Sequence, residues 1–358
     1  MTNPDLQKWA TWREIHAQPE IWASWAQSLD VAGLREWVAA QNVTEVWFCG
    51  AGTSAYIGEI ICAGLEGHDG PRLRAVATTD LVSRPKAYLN GKRPLVVSFG
   101  RSGNSTESIG ALDALDALAP QAPRLNITCN KDGALATRMS KGAQKVVLLP
   151  DACHDEGFAM TSSFSTMLLT ALAVFDHKTD PVKAMTELSA TLNASLDAAK
   201  SAIPDVPARA VFVGAGAMTY AAREAALKVM ELSAGRIPAL WDSTLGFRHG
   251  PKSFVDDNTL ITVFLSSDAD TARYDNDLAA ELRAQFPAAK VITVGAGGDI
   301  ALPMHAGDTW GAVLSVVVSQ LAGVIWCAAL GLNVDDPFIG QGTLSRVVAG
   351  VQLYPVKA

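Results

Sequence analysis

VWFCGAG (Val46–Gly52) is echoed further along the chain by VFVGAG (Val211–Gly216). Working outward, LVVSFGRSGNST (Leu95–Thr106) is echoed by LITVFLSSDADT (Leu260–Thr271), and LNITCN (Leu125–Asn130) by VITVGA (Val291–Ala296). All three pairs are separated by about 165 residues, a constant spacing that marks a duplicated unit. Each run is short, rich in β-branched residues and apolar on both faces, and a glycine-rich turn and a helical stretch follow it. That is the pattern of parallel strands buried between helices. The expected fold class is therefore α/β, with two tandem domains, each a parallel sheet flanked by helices in three layers. Such units bind ligands at the C-terminal ends of strands, beside helix N-termini. The expected divisions are a helical arm over residues 1–35, a first domain over 36–198 and a second over 199–358. The link lies near SAIPDVP (Ser201–Pro207), where the helical pattern breaks.

The 358 residues are enough for two domains, and 49% hydrophobic with 18% charged residues suits a large core. With 29 basic and 36 acidic residues the formal charge is −7, which provides no basic field for nucleic acid or an anionic membrane. A phosphate would have to be held locally, by a loop. The opening MTNPDLQKWATWREI has no basic stretch followed by an apolar one, so no secretory signal is expected. Cys49, Cys62, Cys129, Cys153 and Cys327 are scattered and form no CxxC pair; reduced thiols in a cytoplasmic protein are the simple reading. No paired histidine spacing suggests a metal site, and neither metal nor other cofactor is expected. Thr309–Val334 carries no charge and is long enough to span a bilayer. Ser315, Ser319 and Gln320 sit in its middle and no Lys or Arg flanks it closely, so it reads as a buried helix.

Two loops of the first copy can meet a ligand. Gly50-Ala51-Gly52-Thr53-Ser54 combines a sharp turn with hydroxyls, but lacks the full dinucleotide fingerprint and the P-loop lysine. Ser98-Phe99-Gly100-Arg101-Ser102-Gly103-Asn104-Ser105-Thr106 leaves a strand and opens a helix, whose free N–H groups attract an anion. Its counterpart, Ser266-Ser267-Asp268-Ala269-Asp270-Thr271, places two aspartates where an anion would sit, so phosphate is expected in the first copy alone.

The second copy carries the titratable groups. In TYAAREAALKVMELSA (Thr219–Ala234), Glu224, Lys228 and Glu231 share one helical face. A carboxylate beside a lysine can act as a general base, and a solvated ion-paired stripe has the same spacing. Glu224, a turn beyond Lys228 on that face, is expected to be merely structural. GFRHGPK (Gly246–Lys252) sets His249 on a turn, where it can exchange protons near neutral pH or simply bond to backbone. HDEGFAMTSSF (His154–Phe164) can line a sugar through Thr161 and Ser162, or start a helix with those residues as caps.

Together, GAGTSAYIGE, TTDLVSRP, SFGRSGNSTES, ITCN, HDEGFAMTSSF, REAALKVMEL and GFRHGPKS resemble the tandem sugar isomerase (SIS) domain family over nearly the whole chain. The chain is similar to the isomerase half of glucosamine-6-phosphate synthase. It is more similar to the galactosamine-6-phosphate deaminase/isomerase group, also labelled tagatose-6-phosphate ketose/aldose isomerase. The resemblance implies that Ser54, Ser102, Ser105 and the loop around Arg101 bind phosphate, with Gly52, Thr53, Ser98, Gly100, Gly103 and Asn104 beside them. It implies that Glu231 moves a proton between C1 and C2, with Lys228 near it. It implies that His249 opens the sugar ring from a neighbouring subunit, hence a homodimer. Where the synthase has an imine-forming lysine, this chain has Arg346, which stays protonated and is better suited to binding oxygen. The implied reaction converts a 2-amino-hexose 6-phosphate to a ketose 6-phosphate and ammonia. Two alternatives are plain aldose–ketose isomerisation and a non-catalytic sugar-phosphate sensor. The sensor is opposed by the short arm, which offers no basic helix-turn-helix, and by the retention of Glu231 and His249.

Overall fold

The echoed runs do become strands, buried on both faces, in a computed structural model that describes residues 5–356. The first sheet contains β1 (Glu45–Cys49), β2 (Arg72–Ala75), β3 (Leu95–Gly100), β4 (Arg124–Thr128) and β5 (Gln144–Leu148), all parallel, in the order β2-β1-β3-β4-β5. The second contains β6 (Arg209–Gly214), β7 (Ala239–Ser243), β8 (Thr259–Phe264), β9 (Lys290–Gly295) and β10 (Ile300–Ala301), in the order β7-β6-β8-β9-β10. The two orders are the same, so the repeat seen in three motifs extends to the whole topology. In both sheets the chain leaves the first strand toward one edge and returns on its other side. That reversal opens a crevice at the strands' C-terminal ends, between β1 and β3 in the first sheet.

Helices α1 (Ala10–Ser28) and α2 (Val31–Ala40) form the N-terminal arm. The first copy adds α3 (Thr53–Gly64), α4 (Thr78–Ser83), α5 (Pro85–Leu89), α6 (Thr106–Leu118), α7 (Ala134–Thr137), α8 (Ser162–Phe175) and α9 (Pro181–Ala202). The second adds α10 (Ala217–Leu232), α11 (Ala269–Gln285) and α12 (Gly307–Ala329). Strand alternation divides the apolar residues between layers. Val46 and Phe48 of β1, with Ala210 and Phe212 of β6, enter one central core shared by both sheets. Trp47 and Cys49 face a smaller cluster beneath α4 and α6, and Val211 and Val213 face another beneath α11. The central core is filled by α3, α8, α10 and α12. The charge-free segment is accordingly a core helix. α12 is long and apolar enough to cross a membrane, but 83% of its most apolar window is buried, packed on α10, α9, α1 and α3.

The arm and the end of the chain are tied together. No side chain of the arm caps α1; instead Asp335 accepts hydrogen bonds from Ala10 N (2.9 Å), Thr11 N (2.8 Å) and Thr11 Oγ1 (2.8 Å). The last described residues return to the first sheet, where Val356 packs on the cluster below α6 and Leu353 lies against Gly110. Asp335→Ala removes the carboxylate that, among the described residues, is bonded to this helix start. It should destabilise the fold by about 1–3 kcal/mol in urea unfolding; an unchanged midpoint would show that the arm docks without that cap.

Candidate active site

Two strand ends and one helix from the other copy meet at the first sheet's crevice. The cavity there is about 360 Å³ and is lined by residues of the β1 and β3 loops, α10 and the C-terminal segment. Gly52 sits at φ +57°, a left-handed conformation that a side chain would strain, and it starts α3, whose first residues Thr53 and Ser54 form part of the crevice wall. Gly216 has the same conformation (φ +56°) at the start of α10. Ser54 Oγ has only the Met160 sulfur nearby, at 3.8 Å, which leaves its hydroxyl able to bond a ligand. Gly100, Arg101, Ser102, Gly103 and Ser105 complete the second loop's wall. Ser105 is the N-cap of α6, accepting from Ser108 N at 3.2 Å, and Ser102 Oγ accepts from Asn104 N at 3.2 Å. This is a hydroxyl-lined helix N-terminus suited to an anion.

Other expected ligands have different work. Arg101 is buried, and its guanidinium donates to the carbonyls of Gly157, Phe158, Ala159 and Arg346 at 3.0–3.3 Å. It fastens the cavity's walls together. Ser98 is buried inside β3 and does not reach the cavity. Asn104 points outward and accepts from Ala134 N at 2.8 Å, fixing α7 to the loop. Thr161 and Ser162 are also kept from the cavity, being fully buried at the start of α8. With Ser163 they give six N–H and O–H donors to the Asp155 carboxylate, at 2.5–3.1 Å. The chain's own anion fills that helix N-terminus, so the capping reading describes Thr161 and Ser162, while Phe158 and Met160 of the same segment line the cavity.

The second copy's loop is filled in the same way. Ser266 Oγ, Ser267 N and Ser267 Oγ all donate to Asp308, at 2.5–2.6 Å, and Asp268 caps α11 through Thr271 N. An internal carboxylate thus occupies the place equivalent to the first copy's anion site.

Glu231 reaches the cavity from α10 with a quarter of its side chain exposed. Lys228 lies behind it, fully buried, and donates to Glu231 Oε2, to Thr53 Oγ1 (3.0 Å) and to Glu224 Oε1 (3.4 Å). Burial alone would lower the pKa of Lys228, but the two carboxylates outweigh it and hold the pKa above its ordinary value. Glu224 does not line the cavity and is not on a solvated face either. It is fully buried and belongs to this network, accepting from Thr53 Oγ1 at 3.2 Å, and burial pushes its pKa up to about 8. One cation serves two carboxylates. Glu224 lies behind Lys228, and the Lys228–Glu231 ion pair stands at the cavity wall. His249 is exposed on the turn after β7 and does not line the cavity.

Sequence reading missed Leu227 and, of the C-terminal segment Leu344–Val348, singled out Arg346 alone and not its lining neighbours Leu344, Ser345, Val347 and Val348. Arg346 of that segment faces the cavity and donates to the Asp155 carbonyl, and Val348 O accepts from Thr106 N (3.2 Å) at the first turn of α6. Among the described residues no cluster of three His, Cys, Asp or Glu side chains could hold a metal ion.

No protein-family model matches the chain. D-Galactosamine-6-phosphate deaminase AgaS of Escherichia coli is 40% identical over 372 aligned positions, which cover 97% of both chains. The chain belongs to the AgaS family. A crystal structure of tagatose-6-phosphate ketose/aldose isomerase from Escherichia coli covers all of both chains at 35% identity, with a TM-score of 0.87. A Clostridium novyi structure assigned the same isomerase activity superposes with a TM-score of 0.89 at 32% identity, over 96% of this chain and 95% of that one. Both structural likenesses run over nearly the whole length of this chain.

The contrast between the two loops predicts separable effects. Ser102→Ala should raise the KM for a hexosamine 6-phosphate about tenfold, the order expected from losing one hydrogen bond to a charged group. Asp268→Ala should leave that KM unchanged while costing about 1 kcal/mol of stability as a lost cap. An increase in KM from the second substitution instead would locate the anion in the other copy.

Proposed function

We propose that this AgaS-family chain is a phosphosugar deaminase/isomerase whose substrate is a 2-amino-hexose 6-phosphate, galactosamine 6-phosphate by the name of its relatives. One observation carries the reading. A carboxylate ion-paired to a buried lysine, Glu231 with Lys228, enters the same cavity as an unfilled, hydroxyl-lined helix N-terminus. Phosphate on the Ser102–Ser105 loop would extend the sugar across the cavity toward α10. His249 opens the ring to the aldehyde. Glu231 removes the C2 proton to give an enolamine, then returns a proton to C1, leaving a C2 imine. Water adds to that imine, and ammonia leaves with formation of the ketose 6-phosphate. Lys228 holds Glu231 in place through the transfer, and Ser54 and Arg346 are available to the sugar's oxygens.

The second reading is aldose–ketose isomerisation without loss of nitrogen, the activity in the name of the Escherichia coli structure. It needs the same base. Incubation with a panel of hexosamine and hexose 6-phosphates, following ammonia and ketose together, separates the two. Ammonia in step with ketose supports deamination, and ketose from a hexose phosphate alone supports isomerisation. We also take the two copies as domains meeting near residue 199, in a cytoplasmic protein; the five free cysteines fit a reducing compartment.

Glu231→Gln keeps shape and removes the proton acceptor. It should lower kcat by about 10²–10⁴ with sugar-phosphate binding retained. Near-normal turnover would remove Glu231 from the mechanism.

We further propose that the enzyme is a homodimer in which His249 serves the partner's cavity. His249 is exposed and outside its own chain's cavity, and Leu245, four residues before it, is a 48%-exposed leucine. In that arrangement Glu231→Gln and His249→Asn chains, each nearly inactive alone, should regain activity when mixed and refolded together. A mixed dimer then holds one site with both native residues. Absence of any recovery, with mixed dimers present by mass, would confine His249 to its own chain.

A further inference from the structure

The geometry points to Thr53 as a positioning residue: its hydroxyl holds the Lys228–Glu224 pair behind the cavity wall, and it is not a ligand of the phosphosugar. The inference rests on the reading of Glu231 as the base and adds the residue that keeps Glu231's partner in place. Thr53 is the first residue of α3, in the anion-binding half, and only 4% of it is exposed. Its side chain turns away from the sheet toward α10, which packs on α3. Thr53 Oγ1 accepts from Lys228 Nζ at 3.0 Å and gives its one proton to Glu224 Oε1 at 3.2 Å. Both hydrogen-bonding roles of the hydroxyl are thereby used. Lys228 has three N–H groups and meets three acceptors, on Glu231, Glu224 and Thr53. Without the hydroxyl, a buried ammonium would have an unspent donor and Glu224 would lose a donor too. Glu224 Oε2 already has no partner among the described residues, so loss of the hydroxyl would take one more donor from a carboxyl group that is short of them.

The duplication provides an internal comparison. A shift of 164 positions superposes GAGTSAY (Gly50–Tyr56) on GAGAMTY (Gly214–Tyr220), with Gly52 and Gly216 in the same backbone conformation. Ala217 then stands where Thr53 stands, and Ile60, Gly64 and Gly67 stand where Glu224, Lys228 and Glu231 stand. Across the α3–α10 seam the hydroxyl faces the charged triad, while the reciprocal set has neither a hydroxyl nor a charge. The hydroxyl accompanies the lysine and carboxylates and not the glycine turn, which both copies share. The same seam is braced at its rim by Arg223, ion-paired with Glu59 at 2.5 Å and lying over Tyr56 and Trp241. The α3–α10 spacing on which the Thr53 contacts depend is therefore fixed independently of them.

The test uses the full-length protein. Thr53→Val is close in shape and lacks the hydroxyl; Thr53→Ser restores it, and Thr53→Ala stands in should valine fail to pack. Turnover is measured on galactosamine 6-phosphate. Binding is measured by calorimetry with galactitol 6-phosphate, which has the phosphate and no carbonyl. For Thr53→Val, kcat should fall about tenfold or more, the Kd for galactitol 6-phosphate should stay within about twofold, and Thr53→Ser should recover most of the rate. A Kd that rises with kcat unchanged would make Thr53 a phosphosugar ligand and overturn the inference, as would full activity of the valine variant. Urea unfolding of Thr53→Val, Lys228→Met and their double variant supplies a readout without turnover. The effect of losing the hydroxyl should largely vanish once Lys228 is gone, and additive effects would overturn the contact. If the native protein turns over no hexosamine phosphate yet the coupling is present, the deaminase reading fails and the positioning role of Thr53 stands.

Discussion

A buried ammonium shared between two carboxylates and a hydroxyl is the constraint around which the rest of this structure is arranged. Lys228 can be fully buried only because all its donors are met, and those partners lie on both α10 and α3. Removing one partner from such a group costs about 3–5 kcal/mol, so the two helices are held in one register relative to each other. That register also decides where Glu231 emerges. It emerges beside the β1 loop, and hence beside the β3 loop, because the parallel order of the first sheet places those strands next to each other. Glu231 and the hydroxyl-lined start of α6 are thus brought together by packing between copies and not by any local motif.

The duplication has been used unequally. Both copies keep the strand order, the glycine turn and the helix that follows it. The first copy keeps an open hydroxyl loop, and the second fills its own with Asp308. The α8 N-terminus is likewise filled, by Asp155. Among three helix starts rich in hydroxyls, α6 is the one whose donors no internal carboxylate occupies, and it is the one beside Glu231.

Much of this could be read from the residues, and what could not has physical reasons. The six echoed runs are central strands, where burial on both faces demands continuous apolar residues, and they are the strands the pattern picks out. The edge strands RLRA of β2 and IA of β10 are short and partly exposed, so their composition says little. Helical spacing placed Glu224, Lys228 and Glu231 on one face. Whether that face meets water or another helix depends on α3, far away in sequence, and so the burial of Glu224 was not legible. A hydroxyl does not reveal its partner either. Thr161 and Ser162 have the composition of a binding loop, and only the folding back of Asp155 shows that their donors are spent. Leu344–Val348 carries no motif at all; it lines the cavity because the end of the chain returns to the first sheet.

Arg101 has an electrostatic consequence. The loop that faces the anion contains one cation, and that cation is committed to backbone carbonyls. A phosphate there meets chiefly N–H and O–H dipoles, whose fields decay faster with distance than that of a free charge. In a chain of net charge −7, such a site exerts little pull at long range. Capture then depends on contact geometry more than on steering, and added electrolyte, which weakens interactions beyond roughly 10 Å, has little long-range attraction left to screen. A phosphate held there would be recognised by shape and donor count, with an affinity that varies little with ionic strength.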